Sequence, residues 1–407
     1  MTRRPALPAL SGVRGLFCLW VVFIHFVSGS FGGSPQWLRN FMATGISGVD
    51  MFFVLSGFTL GYMYLEAHGA RYHVWRFFAA RAARILPLYF LGMAILLPVW
   101  IATFMSRPGA TLRSAIPYLA TSTVMVQSWL PGFATAINYP AWSVSDEVFF
   151  YAMFPVAALL IVRLRQRRSV GLAAALLWST SIAIAGGYVL LNPDHIGAGW
   201  PTHYARWERV VLYNPLVRLP EFLLGVSTAV LFLRRSATEM NARNRALLSI
   251  CPLVIILATG FFSSWIPFVL LHNALFSGAW AVMIFGLAVG ASPLAWFFSR
   301  PAFVLLGEAS YGIYILQDPL WNVANTTGRF LTGSLGQDPW QWHWQHPAFV
   351  VLYPFFLVAM SIGILYVYQE PARRWMVRRL SPAPARRPMT AEASAVVTRP
   401  VRSEAEA

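Results

Sequence analysis

The sequence contains no lysine and few charged residues of any kind. Charged side chains make up 11% of the 407 residues, whereas about 25% is usual in soluble proteins, and all 31 basic residues are arginine. The two cysteines, Cys18 and Cys251, lie in apolar stretches and provide neither a disulfide framework nor metal-site spacing. Phosphate-binding, dinucleotide-binding, zinc-protease and serine-hydrolase motifs are absent, so these chemistries have no support.

Apolar residues make up most of the chain. Hydrophobic residues are 57% and aromatic residues 15% of the sequence, and the mean hydropathy is +0.57. This composition is typical of a protein with many membrane spans, each of about 20 residues. We therefore predict an all-α helical bundle in the lipid bilayer. Its ten spans are expected at approximately 15–31, 46–66, 85–105, 142–162, 171–191, 216–233, 246–264, 268–290, 301–321 and 347–368.

The arginines are distributed as topology signals. A net charge of +16 is compatible with nucleic-acid binding, but the arginines cluster between apolar runs, so we predict no nucleic-acid partner. With a cytoplasmic N-terminus most of them fall on the cytoplasmic side, which places both termini there. Because the absence of lysine is typical of a GC-rich bacterial genome, we expect a multi-pass protein of a bacterial inner membrane.

Two parts are predicted along the chain. Residues 1–371 form the transmembrane domain, and residues 372–407 form a basic, disordered cytoplasmic tail that is rich in proline and arginine. The sequence shows no internal repeat of the kind that many transporters carry.

The first apolar stretch contains Arg14 and His25. They are eleven positions apart, close to three helical turns, so both side chains project from one face, roughly 16 Å apart along the axis. Such residues are costly in a membrane helix unless they face a protein interior or a watery cavity. An imidazole can accept or donate a proton near pH 7. His25 is therefore a candidate for proton transfer; the alternative is a core histidine bonded to a backbone carbonyl.

Acidic residues mark the outer ends of two further spans. Asp50 opens the second span, where it either caps the helix or orients His25. Asp146 and Glu147 open the fourth span, so that one can cap the helix while the other faces the bundle. Glu147 shares a helix face with Tyr151, four positions later. His25, Glu147 and Asp50 are accordingly the candidate catalytic residues.

Arg81 and Arg84 precede the third predicted span. Three positions apart, they share a helix face, and two guanidinium groups in that arrangement suit phosphate groups. The alternative is that they anchor the helix at the membrane surface and signal its topology.

Three segments on the outer side are longer than turns. Residues 106–141 are expected to include a short helix around Ile116–Trp129, and residues 192–215 and 322–347 are rich in aromatic side chains. These aromatic residues either anchor the protein at the membrane interface or form a surface on which sugar rings stack.

Several of these segments together resemble the membrane-bound acyltransferase 3 family. The matching motifs are Leu10-Ser-Gly-Val-Arg14 with His25, Gly48-Val-Asp-Met-Phe-Phe-Val-Leu-Ser-Gly-Phe58, Arg81-Ala-Ala-Arg84 with Leu86-Pro87, Trp142-Ser-Val-Ser-Asp-Glu147 with Tyr151, Ser310-Tyr311-Gly-Ile-Tyr314, and Glu370-Pro371. They extend from residue 10 to residue 371, and in combination they are highly specific.

The chain departs from the family pattern at two positions. Ser11 stands where the family commonly has Asp, and Gln317 where it commonly has His. Because an amide does not titrate, we do not expect proton transfer at Gln317. Some members append an SGNH-type hydrolase domain, and the residues after the last predicted span are too few for one.

The resemblance implies transfer of an acyl group, commonly acetyl, from cytoplasmic acyl-CoA to a hydroxyl group of a glycan, lipid or small molecule. Acyl-CoA is then a donor substrate, and no bound cofactor or metal is expected. His25 becomes the candidate base, either deprotonating the acceptor or first carrying the acyl group. The other candidates are Arg14, Arg81 and Arg84 for acyl-CoA binding, and Trp142, Tyr151 and Tyr311 for substrate binding.

Two other functions are compatible with the residues. Intramembrane His, Asp and Glu residues can relay protons in a transporter or flippase of a polyprenyl-linked or small-molecule substrate, which predicts activity without acyl-CoA. A membrane sensor or scaffold predicts tolerance of substitutions at Arg14, His25 and Arg81.

Overall fold

The computed structural model describes residues 4–70, 73–196, 205–235 and 240–380. Most of this part of the chain is helical. The α-helices are α1 (Pro8–Phe26), α2 (Gln36–Ala43), α3 (Gly48–Tyr64), α4 (Val74–Met105), α5 (Leu112–Thr123), α6 (Ala141–Arg163), α7 (Arg167–Leu191), α8 (Arg206–Tyr213), α9 (Pro215–Leu233), α10 (Ala242–Gly260), α11 (Phe268–His272), α12 (Ser277–Val289), α13 (Pro293–Phe298), α14 (Pro301–Leu331), α15 (Pro339–Gln345), α16 (Pro347–Ile364) and α17 (Glu370–Leu380).

Other regular structure is limited to short pieces. Two strands, β1 (Leu65–Glu66) and β2 (Gly69–Ala70), pair antiparallel between α3 and α4. Turns of 3₁₀-helix occupy Ser28–Phe31, Thr44–Ser47, Gln127–Trp129 and Ser263–Trp265, and a π-helical turn at Leu365–Gln369 joins α16 to α17. A two-residue hairpin cannot form a core of its own, so the fold is all-α.

Nine helical segments of the described residues are long and apolar enough to cross a membrane. They are Pro8–Phe26, Gln36–Tyr64, Val74–Met105, Ala141–Arg163, Arg167–Leu191, Arg206–Leu233, Ala242–Gly260, Phe268–Val289 and Pro347–Leu380. Each overlaps a predicted span, which confirms the prediction of an all-α polytopic membrane protein. The remaining predicted span corresponds to α14, which has 31 residues and contains the buried polar residues Gln317 and Asn325.

Helices α1 and α14 approach each other through glycine. A Cβ atom added to Gly15 would lie 2.6 Å from the main-chain nitrogen of Gly307, and one added to Gly307 would lie 2.0 Å from the main-chain oxygen of Ser11. Small residues of this kind allow two membrane helices to pack backbone against backbone. The contact brings the functional candidates on α1 against α14.

The two helices run parallel in one register. The Cys18 thiol donates to the main-chain oxygen of Ser310 at 3.3 Å, and the His25 ring contacts Gln317 at 2.8 Å, each across 292 positions. A parallel arrangement is the one expected if α1 is the first predicted span and α14 the ninth, because eight crossings return the chain to the same direction.

Two helix boundaries lie well outside the predicted apolar runs. Helix α4 begins at Val74 and not near residue 85, so Arg81 and Arg84 lie inside the helix. Helix α14 continues to Leu331, beyond the predicted end near residue 321. The reason is that hydropathy detects only the apolar run, whereas arginine and alanine are themselves strong helix formers.

The short helix predicted between the third and fourth spans is present as α5, and the first part of the predicted tail is helical. Helix α5 begins with a capping box between Thr111 and Ser114 and lies in the expected segment. Helix α17 extends to Leu380, so the predicted start of the tail at residue 372 falls within a helix. Residues 381–407 of that tail, and residues 197–204 of the second outer segment, lie outside the described residues.

Candidate active site

Helices α1, α3, α4, α6 and α14 surround an internal cavity of about 790 Å³, including the part that opens to its surroundings. Three arginines and one glutamate line it, an excess of two positive charges, together with hydroxyl and aromatic side chains. Its main polar residues are Arg14, Arg81, Arg84, Glu147, Tyr151 and Tyr311. We call this space the arginine cavity.

Arg14 enters the arginine cavity from α1. Its Nη2 donates to the main-chain oxygen of Gly307, a bond made possible by the close approach of α1 to α14. Arg84 and Glu147 are near enough to interact electrostatically with its guanidinium group. The Nη2 nitrogen of Arg14 is therefore bound to α14, while the side chain lines the cavity.

Arg81 and Arg84 enter the cavity from α4. The Arg81 side chain is 9% exposed, and its guanidinium carbon lies 5.8 Å from the ring centroids of both Tyr64 and Tyr151, within the range of a cation–π interaction. Arg81 is buried in the bundle and both arginines line the cavity, so anchoring at the membrane surface does not by itself account for their placement.

Glu147 supplies the acidic side chain of the arginine cavity. Its Oε1 accepts hydrogen bonds from Ser56 Oγ at 3.0 Å and from the Tyr151 hydroxyl at 2.5 Å. The predicted shared face of Glu147 and Tyr151 is thus a direct contact. Tyr311 also lines the cavity, with its hydroxyl donating to the main-chain oxygen of Ile85 at 3.0 Å.

A second cavity of about 1600 Å³ adjoins the first at the N-terminal end of α1. It is bounded by residues 4–11 and by the end of α3 with β1, and it shares Arg14, Leu55 and Thr59 with the arginine cavity. We call it the N-terminal cavity. The three shared residues thus form the boundary between the two cavities.

His25 projects from the same face of α1 as Arg14 but is not among the residues that line the arginine cavity. Its Nδ1 lies 2.8 Å from Oε1 of Gln317 in α14, and its ring packs edge-on against Tyr139 with the centroids 5.4 Å apart. His25 is expected either to transfer protons or to be a core histidine bonded to a backbone carbonyl. In the structure the partner of its Nδ1 is the side-chain amide of Gln317.

Tyr314 connects the histidine to the cavity. Its side chain lines the arginine cavity, with its hydroxyl accepting from Ser143 Oγ at 2.9 Å, and its main-chain oxygen accepts from Gln317 Nε2 at 2.8 Å. Tyr314 thus lines the cavity with its side chain and contacts, through its main chain, the residue that holds His25.

Asp50 pairs with an arginine, and no contact joins it to His25 among the hydrogen bonds of the described residues. Its Oδ1 lies 2.7 Å from Nη2 of Arg218, and the same nitrogen lies 3.0 Å from Oε2 of Glu221. All three side chains are buried in the bundle. A buried carboxylate is stabilised by an adjacent guanidinium, which accounts for Asp50 without a role in orienting His25.

Trp142 belongs to this ion-pair cluster and does not line the arginine cavity. The Arg218 guanidinium carbon lies 5.1 Å from the ring centroid of Phe53 and 6.0 Å from that of Trp142. Tyr151 and Tyr311 do line the cavity, so the structure separates Trp142 from the other two residues predicted to bind substrate.

The sequence analysis did not select Arg218. A signal was available, because it is the one arginine within the sixth predicted span and Glu221 follows at the spacing of a helical ion pair. The partnership of Gln317 with His25 had no such signal, since the two residues are 292 positions apart.

Helix α15, in the aromatic-rich segment of residues 322–347, holds a buried histidine. Trp321 Nε1 donates to His343 Nδ1 at 3.1 Å, so the proton of the neutral ring is on Nε2, which donates to the main-chain oxygen of Phe26 at 2.8 Å. Burial lowers the pKa of His343, with the Phe26 bond opposing it. Next to it, Trp340 stacks on Trp321 with the centroids 4.3 Å apart.

Comparison with known proteins agrees with this architecture. The family model of the acyltransferase domain matches residues 7–369. The chain is 27% identical to the acyltransferase MdmB of Streptomyces mycarofaciens over 95% of this chain and 97% of that protein.

Two further relatives match a shorter part. The chain is 25% identical to the putative O-acetyltransferase SACOL0978 of Staphylococcus aureus over 78% of this chain and 50% of that protein. It is 28% identical to the putative membrane-bound transacylase BcsY of Komagataeibacter xylinus over 53% of this chain and 49% of that protein. The chain thus aligns with about half the length of these two relatives. No solved structure matches it.

The family match covers the helices that build the arginine cavity, the ion-pair cluster and the His25–Gln317 contact. The chain therefore belongs to the acyltransferase 3 family and is an integral-membrane acyltransferase.

Proposed function

We propose that the protein is an O-acyltransferase of a bacterial inner membrane that moves an acyl group, with acetyl as the expected group, from cytoplasmic acyl-CoA to a hydroxyl group. The observation that carries this proposal is the arginine cavity. Arg14, Arg81 and Arg84 face one internal space, and that space adjoins a cavity at the end of α1 predicted to be cytoplasmic.

The charge of the arginine cavity suits the donor. Coenzyme A carries several phosphate charges, and guanidinium groups bind phosphate oxygens through two hydrogen bonds at once. An excess of two positive charges in a largely enclosed space attracts such an anion strongly, because the surroundings screen it less than water does. We assign the phosphate groups of acyl-CoA to Arg14, Arg81 and Arg84.

The spacing along α1 then locates the reaction. His25 lies roughly 16 Å from Arg14 along the helix axis, a distance that the extended pantetheine arm of coenzyme A can bridge. The thioester would approach His25 past Tyr314, whose side chain lines the arginine cavity.

His25 acts as general base in the proposed step. The acceptor O–H proton passes to the imidazole while the acceptor oxygen forms a bond to the thioester carbonyl carbon. Collapse of the tetrahedral intermediate breaks the C–S bond, and the proton on the imidazolium passes to the departing thiolate. The products are the acylated acceptor and coenzyme A, with His25 returned to its neutral form.

The names of the relatives support an oxygen acceptor. The Staphylococcus aureus relatives are called putative O-acetyltransferases, and the Komagataeibacter relative a putative membrane-bound transacylase. We propose a glycan, lipid or small-molecule hydroxyl that reaches His25 from the outer side, with modification of a polysaccharide as the expected setting. Family membership favours this reaction over the transporter and scaffold alternatives.

The test uses purified protein in detergent with acetyl-CoA labelled in the acetyl group, with water as the acceptor where no alcohol is added. We expect the wild type to consume the thioester and His25→Ala to lose at least 100-fold of that rate, since a general base contributes about 10² to 10⁴ in rate. Arg81→Ala/Arg84→Ala should lose coenzyme A binding in a direct binding measurement.

Matched controls are available in the same chain. His68 is exposed in the β1–β2 turn, and Arg374 and Arg378 are exposed on α17, so His68→Ala and Arg374→Ala/Arg378→Ala should behave as wild type. Retention of near wild-type transfer by His25→Ala would exclude the base mechanism. A wild type that neither binds nor consumes acetyl-CoA or longer acyl-CoA donors would exclude the donor assignment.

A further inference from the structure

The amide of Gln317 is oriented by its own helix. Its Nε2 donates to the main-chain oxygen of Tyr314 at 2.8 Å, and a carbonyl oxygen can only accept a hydrogen bond. The amide nitrogen must therefore face Tyr314, and the amide oxygen must face the other way. It is this oxygen that lies 2.8 Å from Nδ1 of His25.

The orientation of the amide fixes the proton on the imidazole. An amide oxygen has no proton to donate, so a hydrogen bond between it and His25 requires the proton to be on Nδ1. In the neutral ring the lone pair is then on Nε2, and Nε2 is the nitrogen that can take a proton.

The segment that carries Gln317 is held by two further contacts. Pro319 lacks an N–H and leaves the main-chain oxygen of Ile315 without its helical partner, and Asn138 Nδ2 donates to that oxygen at 2.9 Å. The Tyr353 hydroxyl donates to the main-chain oxygen of Gln317 itself. Both bonds lie within one turn of Gln317, so its backbone position is fixed.

The imidazole is also fixed on a second side. The main-chain nitrogen of Tyr139 donates to Asp318 Oδ2 at 2.9 Å, which holds the residue whose ring packs edge-on against His25. Gln317 is completely buried. Burying a polar amide is costly unless its hydrogen bonds are made, and Gln317 makes one with each end of the amide.

We propose that Gln317 is a positioning residue that holds His25 in the Nδ1–H tautomer and presents Nε2 as the proton-accepting nitrogen. An amide cannot ionise, so it imposes this tautomer at every pH at which the ring is neutral. It also adds no negative charge, and the imidazolium formed during transfer is less stabilised than it would be beside a carboxylate. The proton is thereby more readily released to the leaving thiolate. The statement about proton release rests on the proposed function of His25, whereas the assignment of the tautomer does not.

The tautomer can be measured without any transfer reaction. In protein labelled with ¹⁵N in histidine, the nitrogen chemical shifts distinguish a protonated from an unprotonated ring nitrogen, and the His25 signals are identified by their loss in His25→Ala. We expect the wild type at neutral pH to show His25 protonated on Nδ1. Gln317→Leu should produce a mixture of tautomers, whereas the control Gln341→Leu, an exposed position of α15, should leave the signals unchanged. A wild-type ring protonated on Nε2 would overturn the proposal.

The role in catalysis is tested by kinetics as a function of pH. Gln317→Leu should lower kcat about 10- to 100-fold with little change in KM for acetyl-CoA. Gln317→Glu retains an accepting oxygen toward His25, and its carboxylate stabilises the imidazolium. We therefore expect the acid limb of its kcat profile to move to higher pH by about one unit.

The outcomes separate the two proposals. Wild-type kcat and an unshifted pH profile in both Gln317 variants would exclude the positioning role. Full transfer by His25→Ala, together with the Nδ1–H tautomer in the wild type, would exclude His25 as base while leaving the structural assignment of Gln317 in place.

Discussion

The Asp50 carboxylate and the Arg218 guanidinium form an ion pair of 2.7 Å with both side chains fully buried. Removing one member of a buried ion pair costs about 3–5 kcal/mol in known cases; here Glu221 remains as a second carboxylate partner of Arg218, so we expect a cost for Asp50 at or below the lower end of that range. We predict that Asp50→Ala lowers the thermal unfolding midpoint of the purified protein, and that Asp50→Asn lowers it less because the amide oxygen still accepts from Arg218.

The control for this pair is Glu308→Ala, which removes an exposed carboxylate from α14 and should leave the midpoint unchanged. If Asp50→Ala unfolds at the wild-type temperature but has no transfer activity, Asp50 acts in the reaction and its ion pair is not its main role.

The glycine contact between α1 and α14 should be intolerant of even one methyl group. In Gly307→Ala the new Cβ would lie 2.0 Å from the main-chain oxygen of Ser11, so the helices must separate and the Arg14 bond to residue 307 must break. We expect a loss of stability of about 1–3 kcal/mol, the usual effect of overpacking, and a higher KM for acetyl-CoA.

A matched substitution tests the steric explanation. Gly363 lies in α16 with open space around its Cα, and Gly363→Ala should leave stability equal or slightly higher because alanine favours helix. Equal stability of the Gly307→Ala and Gly363→Ala proteins would contradict the close approach.

Glu147 offsets one of the three positive charges of the arginine cavity. Glu147→Gln keeps an oxygen that accepts from Ser56 and Tyr151 but removes the negative charge. We expect the protein to remain folded and its KM for acetyl-CoA to fall about two- to tenfold at low ionic strength, because the cavity gains net positive charge. Steady-state kinetics at two salt concentrations measure this effect. A KM that rises in Glu147→Gln would place the donor phosphates elsewhere.

His343 should make stability depend on pH. Its folded-state pKa is lowered by burial below the ordinary value of about 6.5. As the pH falls, the histidine therefore binds a proton in the unfolded chain at a higher pH than in the folded protein. The contribution of the neutral ring is complete above the ordinary value and is lost as pH falls toward the folded-state pKa. Protonation would also direct an N–H at the donor N–H of Trp321.

The measurement is the unfolding midpoint between pH 7.5 and 5. We expect the wild type to lose more stability over this range than His343→Gln, in which no titrating ring remains. Parallel pH curves for the two proteins would exclude His343 as a source of the dependence.

Composition and local motifs predict much of this molecule. The apolar runs locate the membrane-spanning helices, and the motifs around Arg14, Arg81 and Glu147 identify residues that meet in one cavity although they come from three helices. These predictions succeed because intramembrane charge is costly and is therefore directed inward.

Sequence reasoning could not predict which charged residue meets which. Asp50 lies near the N-terminal end of α3 and His25 near the C-terminal end of α1, yet one pairs with Arg218 and the other with Gln317. These pairings depend on the packing of α3 on α9 and of α1 on α14, and helix packing brings together residues separated by well over a hundred positions. The hydropathy analysis also predicted α4 and α14 to be shorter than they are, because polar residues inside a bundle do not end a helix.

The parallel register of α1 and α14 fixes the distances between residues along the helix pair. Arg14 contacts Gly307, Cys18 contacts Ser310 and His25 contacts Gln317. Both helices rise 1.5 Å per residue, so the three contacts stay in register. The distance between Arg14 and His25 is then set by residue count and not by a flexible loop. Inserting a single residue between positions 18 and 25 would turn the histidine by about 100° around the helix and break its contact with Gln317. Every side chain would remain chemically unchanged.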